Sequence, residues 1–186
     1  MTVTVLRRIA AGATLHRIHR PFHDAVFFGP TGATPQGRFD APDGSFKVLY
    51  AARALETAFG ETLVRSPHIA FVLSTAVNAR VRSELLVTKA LRLFPLIDGS
   101  VSKLGLSFTD LHGDAYAKTW AVSAQIHDNT PADGILYTSR FYNQRCVALF
   151  GRAASSIAES PNMKLPISPA DAAKLAEKFG KIYVEP

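Results

Sequence analysis

Gln36–Arg65 reads QGRFDAPDGSFKVLYAARALETAFGETLVR, and the rest of the chain is organised around it. The stretch divides into three pieces. A glycine- and proline-rich loop carries Gly37-Arg38. A short strand follows over Ser45–Tyr50, where Phe46, Val48 and Tyr50 alternate. An alanine-rich helix is expected over Ala51–Val64, with Leu55, Ala58, Phe59 and Leu63 as its apolar stripe. An arginine, an aromatic ring and a carboxylate (Arg38, Tyr50, Glu61) are therefore delivered by consecutive elements. Glu61 lies off the centre of the stripe, and Glu56 is an equally good helix acid by composition. Arg65 stands four residues after Glu61, the spacing of a surface ion pair.

Upstream, Thr2–Leu6 and Thr14–His19 alternate as short strands. In the second, Leu15, Arg17 and His19 share one face, and His16 and Ile18 the other. Ala25–Phe28 is a further apolar run. The loop Gly29–Gly44 holds four glycines and three prolines and is longer than most connections; long ordered loops tend to carry function.

Downstream, Ile69–Leu73, Ala79–Thr88 and Ala90–Leu96 are extended candidates. Asp98–Leu104 reads as a helical turn with Asp98 or Ser100 as cap. A second main helix is expected over Asp110–His127, with Tyr116, Trp120 and Ala124 on one stripe and Asp128-Asn129-Thr130-Pro131 as its stop. Asp133–Tyr137 and Arg145–Phe150 read as a strand pair around a polar turn containing Ser139. Ser168-Pro169-Ala170-Asp171 is a helix start, and that helix runs to about Phe179 with Gly180 as its stop. Lys181–Val184 reads as a last strand. Strands outnumber helices without regular alternation, which favours an α+β class in one domain over residues 1–186.

Composition narrows the function. The chain is 47% hydrophobic and 19% charged, as in ordinary globular domains. Lys+Arg exceeds Asp+Glu by 21 − 15 = 6, which favours anionic ligands. The single cysteine, Cys146, lies in the apolar run RCVALF and reads as a buried thiol; no internal disulfide or cysteine zinc cluster can form. No signal peptide or membrane-spanning run is evident, so a reducing cytoplasm is the expected setting. P-loop, dinucleotide-fingerprint and nucleophile-elbow motifs are missing. His16, His19 and His23 are close in sequence, but no acid or cysteine completes a zinc pattern; no metal is expected, and these histidines are assigned to strand and loop surface.

The candidates are then arginines and one acid. Arg38 follows a glycine, where backbone can approach a ligand closely, and its planar fork suits phosphate oxygens. Arg17 offers a second fork. Tyr50 reads either as a stacking platform or as a core tyrosine. Ser139 reads either as a substrate contact or as a turn hydroxyl bonded to local backbone.

The ordered set of fragments resembles the RES domain family, named for its arginine, glutamate and serine, whose members include toxins of RES–Xre toxin–antitoxin systems. The resemblance rests on Leu15-His16-Arg17-Ile18, on Gly37-Arg38-Phe39, and on Tyr50 followed by Ala52, Ala58 and Glu61. Gly113-Asp114 ahead of Trp120, Gly134-Ile135-Leu136-Tyr137-Thr138-Ser139 and Cys146-Val147-Ala148-Leu149-Phe150 complete it. It covers about Thr14–Phe150; the tail from Gly151 matches poorly. The resemblance implies an ADP-ribosyltransferase-like fold, a mixed or antiparallel sheet with flanking helices. It implies an enzyme that consumes NAD by phosphorolysis or hydrolysis of the nicotinamide–ribose bond, with inorganic phosphate as a co-substrate in the first case and no prosthetic group. Glu61, Arg38 and Ser139 would be catalytic, and Arg17, Arg38, Tyr50 and Ser139 would bind the dinucleotide. An Xre-type antitoxin would be the partner, and a homodimer the assembly. The alternatives are a protein ADP-ribosyltransferase on the same fold, and a basic nucleic-acid-binding module without catalysis. Scattered arginines and the lack of a recognition motif count against the last.

Overall fold

The computed structural model describes residues 5–30, 32, 34–66 and 68–185. Ten strands are assigned: β1 (Arg7–Ile9), β2 (Thr14–His19), β3 (Val48–Ala52), β4 (Phe71–Leu73), β5 (Val81–Val87), β6 (Leu91–Leu96), β7 (Gly134–Thr138), β8 (Arg145–Phe150), β9 (Ile157–Glu159) and β10 (Ile182–Val184). The α-helices are α1 (Leu55–Leu63), α2 (Ser74–Asn78), α3 (Gly99–Lys103), α4 (Phe108–His112), α5 (Ala117–Asn129) and α6 (Pro169–Glu177). A 3-10 segment over Gly151–Ser156 links β8 to β9.

Eight strands form one sheet in the order β1-β6-β7-β8-β3-β2-β5-β9. Only the β6–β7 pair in it is parallel; its other neighbours run antiparallel. β10 and β4 make a separate parallel pair.

Both faces of the sheet are buried, and β8 shows why its sequence is an unbroken apolar run. Cys146, Ala148 and Phe150 join a core that includes Ala58 and Phe59 of α1, Val122 and Ile126 of α5, and Ala172 and Leu175 of α6. Val147 and Leu149 point the other way, into a second cluster with Leu15, Leu85, Val87, Leu91 and Leu93. Alternation by two along the strand sends successive residues into different cores. The second cluster is built almost wholly from strand residues, so the sheet curls on itself there instead of taking a helical cover. The result is an α+β architecture: a curled, mostly antiparallel sheet with flanking helices.

Several elements differ from the sequence expectation. Strand β3 begins at Val48 and includes Ala51 and Ala52, so α1 starts only at Leu55. The alanines look helical by propensity, but β3 pairs with β8 through Ala52, and tertiary pairing overrides propensity. The helix expected over Asp110–His127 is two helices, α4 and α5, interrupted at Gly113–Tyr116. A capping box between Ser107 and Asp110 starts the first. The buried face of α5 carries Thr119, Val122, Ser123 and Ile126 rather than Tyr116, Trp120 and Ala124. Asp98 occupies the cap position of α3, yet its side chain makes no capping bond. The strand expected over Thr2–Leu6 falls partly outside the described residues; the first strand observed starts at Arg7. His19 is buried, not on the surface, with Nε2 bonded to Ser83 Oγ at 2.8 Å. Among the described residues, no helix is long and apolar enough to cross a membrane.

Candidate active site

Where β2, β3 and β8 meet the C-terminal half of α1, a cavity of about 380 Å³ opens. Its walls include Arg17, Arg38, Tyr50 and Glu61, four of the five candidates from the sequence. Ser139 is not among the lining residues. It is buried at the end of β7, where its Oγ accepts from Phe141 N at 3.1 Å and its own N–H donates to Gln144 O at 2.8 Å.

Helix α1 aims Glu61. Its residues Thr57–Gly60 are buried, which fixes the rotation of the helix. Gly60 faces Phe179, close enough that a Cβ there would lie 2.8 Å from the ring. One residue on, about 100° around the helix, Glu61 is half-buried and faces the cavity. Burial raises the Tyr137 hydroxyl and the Cys146 thiol well above their ordinary ranges, and the Glu61 charge pushes both further the same way. Tyr137 and Cys146 line the same cavity as Glu61. Cys146 is held as a neutral thiol, not a nucleophilic thiolate.

The surface ion pair between Glu61 and Arg65 does not form. Among the described residues, no cation lies within 4.0 Å of Glu61. The physical reason is local. Helix α1 ends at Leu63 and Val64 leaves helical geometry with φ −108° and ψ 27°, so Arg65 departs from the path that an i, i+4 pair requires. Glu56 pairs with Lys178 instead, away from the cavity.

Arg38 sits on a turn braced from several directions. Asp40, itself buried, accepts from Gln36 N at 2.8 Å and Gly37 N at 2.6 Å through one oxygen. Through the other it accepts from the Tyr50 hydroxyl at 2.8 Å. That hydroxyl in turn accepts from Phe39 N at 2.8 Å. Helix α5 adds two bonds to the same backbone: Trp120 Nε1 donates to Gly37 O, and Ser123 Oγ donates to Phe39 O. Gly37 must be glycine, because a Cβ would lie 2.5 Å from the Tyr50 hydroxyl oxygen. The Arg38 guanidinium donates to Gly113 O at 2.9 Å and lies 4.6 Å over the Tyr116 ring. Tyr50 thus serves the turn with its hydroxyl and the cavity wall with its ring.

Arg17 is more committed to the fold than its sequence suggested. Its Nη1 donates to Ala25 O at 2.7 Å and Phe27 O at 3.3 Å, and burial brings its pKa down to about 10. It remains a cation at neutral pH and still borders the cavity.

Sequence reasoning missed Asp40, Trp120 and Ser123 as organisers of the turn. The Asp in GRFD, two residues after Arg38, was the available signal. Their partners lie 3 to 84 residues away, which no local pattern displays. The lining acids are Glu61 and Asp40, and both Asp40 oxygens are already used. The site therefore offers one free carboxylate facing several guanidinium groups: an arrangement that holds an anion and can stabilise positive charge developing near Glu61.

Among curated protein sequences, no significant match is found. In solved structures, the fold resembles a chain described as "Crystal structure of the M.tuberculosis MbcT-MbcA toxin-antitoxin complex", with TM-score 0.74 and 17% identity over 94% of this chain and 92% of the other. The sequence profile of the RES domain matches residues 14–168, extending past Phe150 through the 3-10 segment and β9 to the cap of α6. The chain belongs to the RES domain family.

Proposed function

We propose that this protein is an NAD-consuming enzyme that cleaves the bond between nicotinamide and ribose, and that it is the toxin of a toxin–antitoxin pair. One observation carries the reading: among the described residues, Glu61 is the one lining carboxylate not spent on the fold, and it shares the cavity with Arg17, Arg38 and Arg65, while the other lining acid, Asp40, is committed to the turn. The bond in question joins ribose to a cationic pyridinium. Nicotinamide leaves as a neutral group and needs no general acid, whereas ordinary glycosidases need a second carboxyl to protonate theirs. Glu61 is assigned the role of stabilising the oxocarbenium-like centre or orienting the incoming oxygen. Arg38 is assigned to the pyrophosphate and the Tyr50 ring to the nicotinamide. Ser139 is assigned to the β7 end of the site, acting through the turn it holds.

The likeness to a chain of a toxin–antitoxin complex supports the toxin assignment. The excess of six positive charges suits an acidic antitoxin segment as well as an anionic substrate. An Xre-type protein is the proposed partner.

Purified protein incubated with NAD, with and without inorganic phosphate, should release nicotinamide. ADP-ribose marks hydrolysis and its 1-phosphate marks phosphorolysis. Label transferred from NAD to protein would move the assignment to ADP-ribosyltransfer. Glu61→Gln should lower turnover by at least about a thousandfold while leaving the melting temperature unchanged. Intact NAD under both conditions at high enzyme concentration would sink the proposal.

A further inference from the structure

The sequence casts Arg65 as the partner of Glu61, and the structure releases it from that role. Arg65 is exposed, lines the cavity beside Glu61, and has no acid within 4.0 Å among the described residues. The loop between α4 and α5, whose Tyr116 lines the same cavity, presents Asp114, whose carboxylate is highly exposed and pairs with Arg140 at 2.7 Å. Arg140 chiefly, then Arg38 and Arg65, hold that carboxyl below its usual range. Asp114 is thus paired with one guanidinium, Arg140, and lies in the field of two more, Arg38 and Arg65.

Their surroundings separate the arginines. Arg17 is deep and spends Nη1 on two backbone carbonyls. Arg38 spends Nη1 on Gly113 O and keeps the rest of its fork. Among the described residues, the Arg65 fork has no ion-pair partner, and it lines the cavity. A guanidinium with free donors beside a cavity is suited to a phosphate, which it can grip bidentately.

Resting on the NAD reading, we propose that Arg65 is a substrate-binding residue that grips the phosphoanhydride of a dinucleotide at the exposed end of the cavity, while Asp114 is the anion that the substrate competes with there. Arg65 and Glu61 then divide the work along one wall of the cavity. The acid acts at the glycosidic bond, and the arginine selects ligands that carry a diphosphate.

The test uses ADP, which carries the diphosphate but no scissile nicotinamide bond, so it reads binding without chemistry. In calorimetric titration, Arg65→Gln should bind ADP about tenfold more weakly, the loss expected for a charge-assisted contact. Arg53→Gln removes an exposed charge that does not line the cavity and controls for net charge. It should retain wild-type affinity. Asp114→Asn should tighten ADP severalfold, a change of sign that a merely structural role of this loop does not produce. Equal ADP affinity in wild type and Arg65→Gln overturns the inference. So do equal losses in Arg65→Gln and Arg53→Gln, weaker binding in Asp114→Asn, or no ADP binding by the wild type. Arg65-dependent ADP binding by a protein that leaves NAD intact would sustain the Arg65 assignment and refute the proposed reaction.

Discussion

Two turns were candidates to carry site residues, and they are built in opposite ways. The Gln36–Asp40 turn is fastened from outside: Tyr50 on β3 and Trp120 and Ser123 on α5 all bond to it, and Asp40 gathers its N–H groups from within. The Ser139–Gln144 turn closes on itself through Ser139 N to Gln144 O and Phe141 N to Ser139 Oγ, with Asn143 at φ 46°. Outward, Arg140 reaches His112 O and Asp114, and the Tyr142 ring packs against Phe179. A guanidinium is only as well placed as its backbone. The first turn sets Arg38 in the cavity wall with little freedom, whereas the second keeps its serine inside the turn and sends an arginine to the end of α4 and the loop after it.

The contrast breaks most visibly at Asp40. Asp40→Ala removes the acceptor of two backbone donors and of the Tyr50 hydroxyl, all in part-buried hydrogen bonds. It should cost about 3 kcal/mol, read in urea unfolding, and should raise KM for NAD as Arg38 loses its seat. Wild-type stability in this variant would mean that the turn does not depend on its carboxylate.

Gly37→Ala probes the same turn by volume. The added Cβ meets the Tyr50 ring and hydroxyl, and the expected loss is about 2 kcal/mol in thermal or urea unfolding. An unperturbed Gly37→Ala protein would show that this packing is loose. Tyr50→Phe keeps the ring and removes both hydroxyl bonds, for about 1 to 2 kcal/mol. Its turnover should fall less than that of Asp40→Ala, because the wall of the cavity survives.

Ser139→Ala should show the smallest loss of stability, about 1 kcal/mol, since only one turn bond goes. Its activity sharpens the comparison. A modest fall in kcat/KM fits a serine that acts through the turn. A hundredfold fall in kcat without loss of stability would place the hydroxyl on the substrate and erase the distinction between the two turns.

Some of this was legible locally. Strand β2 has the bounds its alternation gives, Thr14–His19. β7 and β8 pair as their apolar runs and intervening polar turn require. Ser168 caps α6 by accepting from Asp171 N, with Pro169 inside the first turn. Periodicity of two and capping chemistry act over a few residues, so the sequence displays them directly. Tyr50 and Glu61, which both line the cavity, were marked by the resemblance of their spacing to the RES family and not by periodicity, which left Glu56 equally eligible.

What the chain alone left open depends on where elements stop and what they meet. Glu61 could be told from its surface reading only once α1 ended at Leu63, which denied it Arg65. Ala51 and Ala52 favour helix by propensity and became strand because β8 offered them a ladder. Asp40 looked like one loop acid among several, and its role appeared only when Tyr50 was brought to it. Sequence determined the residues capable of chemistry and the short-range elements that carry them, because those follow from local periodicity and side-chain type. Tertiary structure decided which charges are spent on the fold and which face the cavity, because pairing and burial are set by neighbours distant along the chain.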